Sequence, residues 1–146
     1  MVIELVRAEG KYEIRGCTGP AGDGDVLGQV PILGTDDVLP AVRSAGVDKA
    51  FVAVGDNRLR LRLLARAMEM GFELVNVVSP AAVLSPSITL GTGIAIMAGA
   101  VINASARIGD GVIINTNASV DHDCCVEQGA HIGPASALAG TPAGAA

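Results

Sequence analysis

The chain has only two histidines, and one of them sits between two acids, in Ser119-Val120-Asp121-His122-Asp123. A carboxylate beside an imidazole raises its proton affinity and can orient the ring, as a general base requires. The same triplet in a turn also reads as an ordinary solvated histidine, and position alone leaves both readings open. His131 follows nine residues later. With Cys124 and Cys125 the two histidines could be taken for metal ligands, but the spacing matches no standard zinc pattern. The adjacent cysteines read as small packing residues, and no metal is expected.

A second candidate is Gly55-Asp56-Asn57-Arg58. It lies where a buried strand, 49–54, gives way to a helix that Asp56 or Asn57 can cap. Free backbone amides at such a start favour anions. Arg58, Arg62 and Arg66 follow at i, i+4, i+8, a basic stripe whose ordinary reading is a solvated face. The stretch 22–28 (GDGDVLG) superficially matches a dinucleotide fingerprint. It follows no strand and opens no helix, so it reads as a flexible loop.

The element that must hold His122 declares itself by its period. Leu84, Leu90, Ile96, Ile102, Ile108, Ile114, Val120, Val126, Ile132 and Leu138 stand at six-residue intervals without a gap. Chance gives such a run about once in 10⁵, and fixed-period self-similarity marks a repeat architecture. Six residues fit neither an α-helix nor a simple strand. They fit a parallel β-helix in which three hexads make one triangular coil. The position two before each aliphatic is usually small, as in Ala100, Ala106, Ala118 and Cys124, where the chain is expected to turn a corner. The position just after favours turn formers, as in Gly91, Asn103, Gly109, Asn115, Asp121 and Gly133, and Gly and Asn accept backbone angles other residues avoid. His122 then lies at a corner. His131 points outward half a coil away, so the two could meet only across a boundary between subunits, as in a threefold trimer.

Upstream, the pattern predicts a helix over 2–9 stopped by Gly10, a strand over 12–17, and a turn-rich loop over 18–25. It then predicts a short helix capped by Asp36 and running to Ser44, the strand 49–54, a helix with Leu61, Leu64, Ala65 and Met68 on one face, and a strand over 72–78. Strand, helix, strand at this length is a βαβ unit. Ser79-Pro80 divides the chain into a reduced α/β domain, 1–78, and a left-handed parallel β-helix, 79–146.

Composition narrows the function classes. Net charge is −5, which argues against a nucleic-acid surface. Arg107 is the only basic residue after position 78. Three cysteines without framework spacing suit a reducing, cytoplasmic setting. The N-terminus lacks the pattern of a signal peptide. The most apolar stretch, 93–106, is too short to span a bilayer.

The chain resembles the sialic acid O-acetyltransferase-like group, which includes the nucleotide-aminosugar N-acetyltransferases. The resemblance rests on Pro31-Ile32-Leu33-Gly34 with Asp36-Asp37, on Ala53-Val54-Gly55-Asp56-Asn57, and on Val75-Asn76-Val77-Val78-Ser79-Pro80. It rests further on Ile113-Ile114-Asn115-Thr116 and on Val120-Asp121-His122-Asp123-Cys124. It implies a Rossmann-like domain that holds a sugar nucleotide, with Gly55 and Asn57 at that site. It also implies a trimer of β-helices that binds acetyl-CoA between subunits. His122 would be the base that deprotonates an amine or hydroxyl, polarised by Asp123 where the family has glutamate. Asn115 would contact the acceptor sugar, and His131 would lie near the thioester. Members of the group open with a strand and a Gly-rich turn and continue for several more coils. This chain reads as a member lacking both, with 141–146 a tail without hexads. The competing class is a non-catalytic trimeric β-helix module. A β-helical carbonic anhydrase is disfavoured because it needs three zinc-binding histidines.

Overall fold

The computed structural model describes residues 1–20 and 26–140. Most of the loop expected at 18–25, and the whole tail 141–146, lie outside the described residues. In chain order the elements begin with α1 (Val2–Glu9), β1 (Val26–Leu27) and β2 (Val30–Pro31). A 3-10 turn (Asp36–Val38) then runs into α2 (Leu39–Ser44), followed by β3 (Lys49–Ala50), α3 (Asn57–Glu69) and β4 (Glu73–Leu74). Eleven two-residue strands follow, each starting six residues after the last: β5 (Val77–Val78), β6 (Val83–Leu84), β7 (Thr89–Leu90), β8 (Ala95–Ile96), β9 (Val101–Ile102), β10 (Arg107–Ile108), β11 (Ile113–Ile114), β12 (Ser119–Val120), β13 (Cys125–Val126), β14 (His131–Ile132) and β15 (Ala137–Leu138).

Strands three apart pair in parallel, so residue i meets residue i+18. Val77, Ala95, Ile113 and His131 are in register on one face. Val83, Val101, Ser119 and Ala137 are in register on the second, and Thr89, Arg107 and Cys125 on the third. The three sheets close a left-handed parallel β-helix of about three coils. Coils therefore stack at the ordinary strand spacing of about 4.8 Å.

The sixfold aliphatics fill the prism. Ile96, Ile102, Ile108, Ile114, Val120 and Val126 are buried, while Leu84, Leu90, Ile132 and Leu138, nearer the ends, are partly covered. The residue two before each also faces inward, because alternate residues of an extended segment share a side. Ala100, Ala106 and Ala118 do so, and so do the bulkier Ile94 and Val112. That position is core in its own right.

The corners work differently from the expectation. Positive φ falls three places after the inward aliphatic, at Gly93, Gly99, Ser105, Gly111, Asn117, Asp123, Gly129 and Ala135. None of Gly91, Asn103, Gly109, Asn115, Asp121 or Gly133 adopts it. Two of those residues are joined from coil to coil, Asn103 Nδ2 donating to Asp121 Oδ1 at 3.2 Å. Gly109 is needed for space: a Cβ there would lie 2.6 Å from the Gln128 amide nitrogen on the next coil.

The N-terminal part keeps the predicted α1, capped by Gly10 in the left-handed region. Its Leu5 and Val6 pack on Val77, Ala95 and Met97, covering one prism face. The βαβ unit is present, with β3 parallel to β4 and α3 between them in sequence. Three expected strands shorten. Residues 12–17 pack Tyr12 and Ile14 against the α1 cluster, and only Cys17 bridges, to Ile32. In 49–54 only Lys49–Ala50 pairs as a strand; farther along, the Val54 carbonyl is taken by Arg60. Residues 72–78 split because Glu73–Leu74 pairs with β3 whereas Val77–Val78 joins the prism. Asn76 makes the crossing, its Nδ2 donating to Gly91 O and its Oδ1 accepting from Ile94 N–H. Asp36 does not cap α2: it lies within the 3-10 turn and accepts from Thr18 Oγ1 at 2.6 Å.

α3 differs in its buried face. Asp56 caps it, accepting from Leu59 N–H at 2.7 Å. Arg60, Leu64 and Ala67 are the buried positions, with Leu61 partly covered, while Ala65 and Met68 are exposed. The helix rotates this way because it lies on a prism corner made of Gly93, Gly111 and Gly129. A Cβ on Gly93 would come within 2.8 Å of Leu64 Cδ2, and one on Gly129 within 2.6 Å of Leu61 Cδ1. That corner is glycine in all three coils for two reasons at once, left-handed backbone and close approach of a helix.

Candidate active site

His122 occupies the turn between β12 and β13. Its Nδ1 lies 2.8 Å from Asp123 Oδ2. A carboxylate only accepts, so Nδ1 carries the hydrogen and Nε2 is left with a lone pair facing away from the pair. Asp123 reaches the ring because its backbone sits at φ 59, in the left-handed region the corner imposes. Asp tolerates that region better than bulkier residues do. Asp121 fixes the turn from the other side, its Oδ1 accepting from His122 N–H at 2.8 Å and from Asn103. The bond to Asp123 raises the His122 pKa, and the charges of Asp121 and Asp123 add to it. The bond from the His122 backbone amide holds the Asp121 carboxyl below its ordinary value. Gly140, one coil on, passes so close that a Cβ would lie 3.6 Å from His122 Cε1.

His131 stands on β14, exposed. Its Nε2 lies 3.0 Å from Asn115 Nδ2. Thr116 N–H donates to Asn115 Oδ1 at 2.8 Å, which identifies the other amide atom as the nitrogen. Nδ2 therefore donates, His131 Nε2 accepts, and the His131 hydrogen resides on Nδ1. The two imidazoles thus present opposite chemistry: a free lone pair at His122, a free N–H at His131. Each sits in its own hydrogen-bond group, and no bond joins them.

Gly55 and Asn57 are brought together around a residue the sequence reading passed over. Arg60 is 1% exposed. Its Nη1 donates to Val54 O and Gly55 O at 2.9 Å each, and its Nη2 to Asn57 Oδ1 at 2.9 Å. Burial lowers its pKa, and the charge of Asp56 works in the opposite direction. The signal that could have found it is its place four and seven residues before Leu64 and Ala67 on one helical face. Arg58, Arg62 and Arg66 are exposed, and Arg66 comes within 4.0 Å of Asp37.

Cys124 is buried and Cys125 exposed, both as free thiols. Among the described residues no group of three His, Cys, Asp or Glu side chains is arranged to hold a metal ion. An open hollow of about 320 Å³ lies on the third face, beside Thr89, Arg107 and Cys125, and neither histidine lines it. No helix among the described residues is long and apolar enough to cross a membrane.

Residues 1–67 match the family model of the PglD N-terminal domain. The chain is 52% identical to PerB from Caulobacter crescentus, solved in complex with CoA and GDP-perosamine, over 95% of this chain and 65% of that one, with a TM-score of 0.89. It is 37% identical to the acetyltransferase domain of PglB from Neisseria gonorrhoeae, solved with acetyl coenzyme A, over 95% of this chain and 67% of that one, with a TM-score of 0.84. WeeI from Acinetobacter baumannii, at 19% identity and a TM-score of 0.81, shares the fold. Prism and α/β part together define a hexapeptide-repeat protein of the left-handed β-helix class. Within that class the chain belongs to the nucleotide-sugar N-acetyltransferase family. It spans 64–65% of the length of the perosamine N-acetyltransferase chains it matches.

Proposed function

We propose that this protein transfers an acetyl group from acetyl-CoA to the amino group of a nucleotide-linked sugar. The observation that carries the reading is the His122–Asp123 pair at 2.8 Å on a prism corner. His122 Nε2 takes the amine proton as the nitrogen attacks the thioester carbonyl. The C–N bond forms, the C–S bond breaks, and the departing thiolate receives the proton from His122. No covalent enzyme intermediate is needed. His131, with its hydrogen on Nδ1, suits the thioester oxygen, and Asn115 holds that tautomer while its turn meets the acceptor sugar. Gly55 and Asn57, at the start of α3, suit the nucleotide phosphates. Labour divides accordingly: residues 1–78 hold the sugar nucleotide, and 79–146 carry the chemistry.

The working unit in this reading is a trimer. α1 covers one prism face, and the third face bears Arg107. The face of β6, β9, β12 and β15 presents Val83, Val101, Ser119 and Ala137, small or apolar side chains, with Val83 63% exposed. His122 lies at the edge of that face, so a neighbouring copy seated there would close the site. GDP-perosamine, which the PerB structure contains, is the first acceptor to test. The free thiols suit the cytoplasm.

Isothermal titration with acetyl-CoA is the test. Saturable heat is the expected result. A flat titration would leave a structural module in place of an enzyme.

A further inference from the structure

Arg60 is a buried cation that no carboxylate touches through a hydrogen bond. Its Nε donates to Gly111 O at 2.7 Å and its Nη2 to Gly129 O at 2.8 Å. Together with the bonds to Val54, Gly55 and Asn57, every N–H of the guanidinium is used. A buried charge is a poor way to gain stability, since an apolar residue of similar volume often serves as well. A planar fork of five donors does something an apolar side chain cannot, which is to fix several oxygens in one geometry.

The oxygens it fixes come from two parts of the molecule. Val54, Gly55 and Asn57 form the end of a strand and the start of α3. Gly111 and Gly129 lie one coil apart, each two residues before a strand, β11 and β14. Those strands carry the other pair of interest: Asn115 follows β11, and His131 lies on β14. One side chain therefore spans the turn that suits phosphates and the two coils that present Asn115 and His131.

We propose that Arg60 is a positioning residue that sets the distance between the sugar-nucleotide turn Gly55–Asn57 and the Asn115–His131 pair, so that the acceptor reaches the acyl group. The proposal rests on the acetyl-transfer reading for its consequence, though not for its geometry. It extends that reading because Arg60 touches neither substrate. Acceptor binding depends on it, whereas coenzyme binding to the prism does not.

The test compares wild type with Arg60→Lys, which keeps stem and charge and loses the fork, and Arg60→Met, which also loses the charge. In both variants amide exchange at Leu59 and at position 60, whose N–H groups donate to Asp56 at the start of α3, is expected to accelerate while that at 119–126 stays as in wild type. kcat/KM for GDP-perosamine is expected to fall ~10-fold or more, since small misplacements are expensive in an oriented reaction. Affinity for CoA is expected to hold. Unchanged exchange at these two amides in a folded Arg60→Lys protein overturns the proposal. So does a parallel loss of affinity for GDP-perosamine and CoA, which marks a plain stability role. If wild type binds neither GDP nor CoA, the acetyl-transfer reading fails, and the exchange measurement alone decides the role of Arg60.

Discussion

Replacing His122 with alanine is expected to lower kcat for acetyl transfer by ~10²–10⁴-fold, the usual contribution of a positioned base. The fold should survive. The His122 side chain is 56% exposed, its backbone N–H stays bonded to Asp121, and the left-handed turn belongs to Asp123. Circular dichroism of the variant should therefore match wild type. The base acts in its neutral form, and its pKa is raised above 6.5, first by the bond to Asp123. Activity should thus be low in acid and rise with pH through an inflection above 6.5. Removing the carboxylate with Asp123→Asn should move that inflection to lower pH, because the cationic form loses its partner. An unchanged rate in His122→Ala would remove the histidine from the chemistry.

Ile114→Ala should cost about 2–5 kcal/mol, as expected for truncating a fully buried isoleucine. Ile114 is 0% exposed and lies in register between Ile96 and Ile132 on the coils either side. The cavity cannot collapse readily, because parallel strands hold the coils at fixed spacing. With about 2–4 °C per kcal/mol for a chain of this size, thermal melting should fall by about 4–20 °C. Ile132→Ala, nearer the open end and only partly covered, should cost less. Equal melting shifts in the two variants would contradict the stacked-coil register.

The prism was legible because its contacts are close in sequence. Each inward aliphatic meets its partner eighteen residues away, so a local period writes the whole core. The same arithmetic places Asn115 beside His131, since β11 and β14 are one coil apart. The sequence reading assigned those two residues separate roles and missed the contact. The left-handed corner was misplaced by two residues, because glycine serves for space at Gly109 and for backbone angle at Gly111. The N-terminal part was less legible, since its elements follow no repeat and partners such as Cys17 and Ile32 are fixed by packing instead of by period. Arg60 escaped notice because an arginine among arginines reads as solvent-facing. Only the glycine corner beneath α3 explains why this one is buried.

The most direct test of the acetyl-transfer claim is incubation of the wild-type protein with acetyl-CoA and GDP-perosamine, followed by mass spectrometry of the sugar nucleotide. A product heavier by one acetyl group, formed in step with free CoA thiol, is the expected result. An unmodified sugar nucleotide, under conditions in which both ligands are shown to bind, would contradict it.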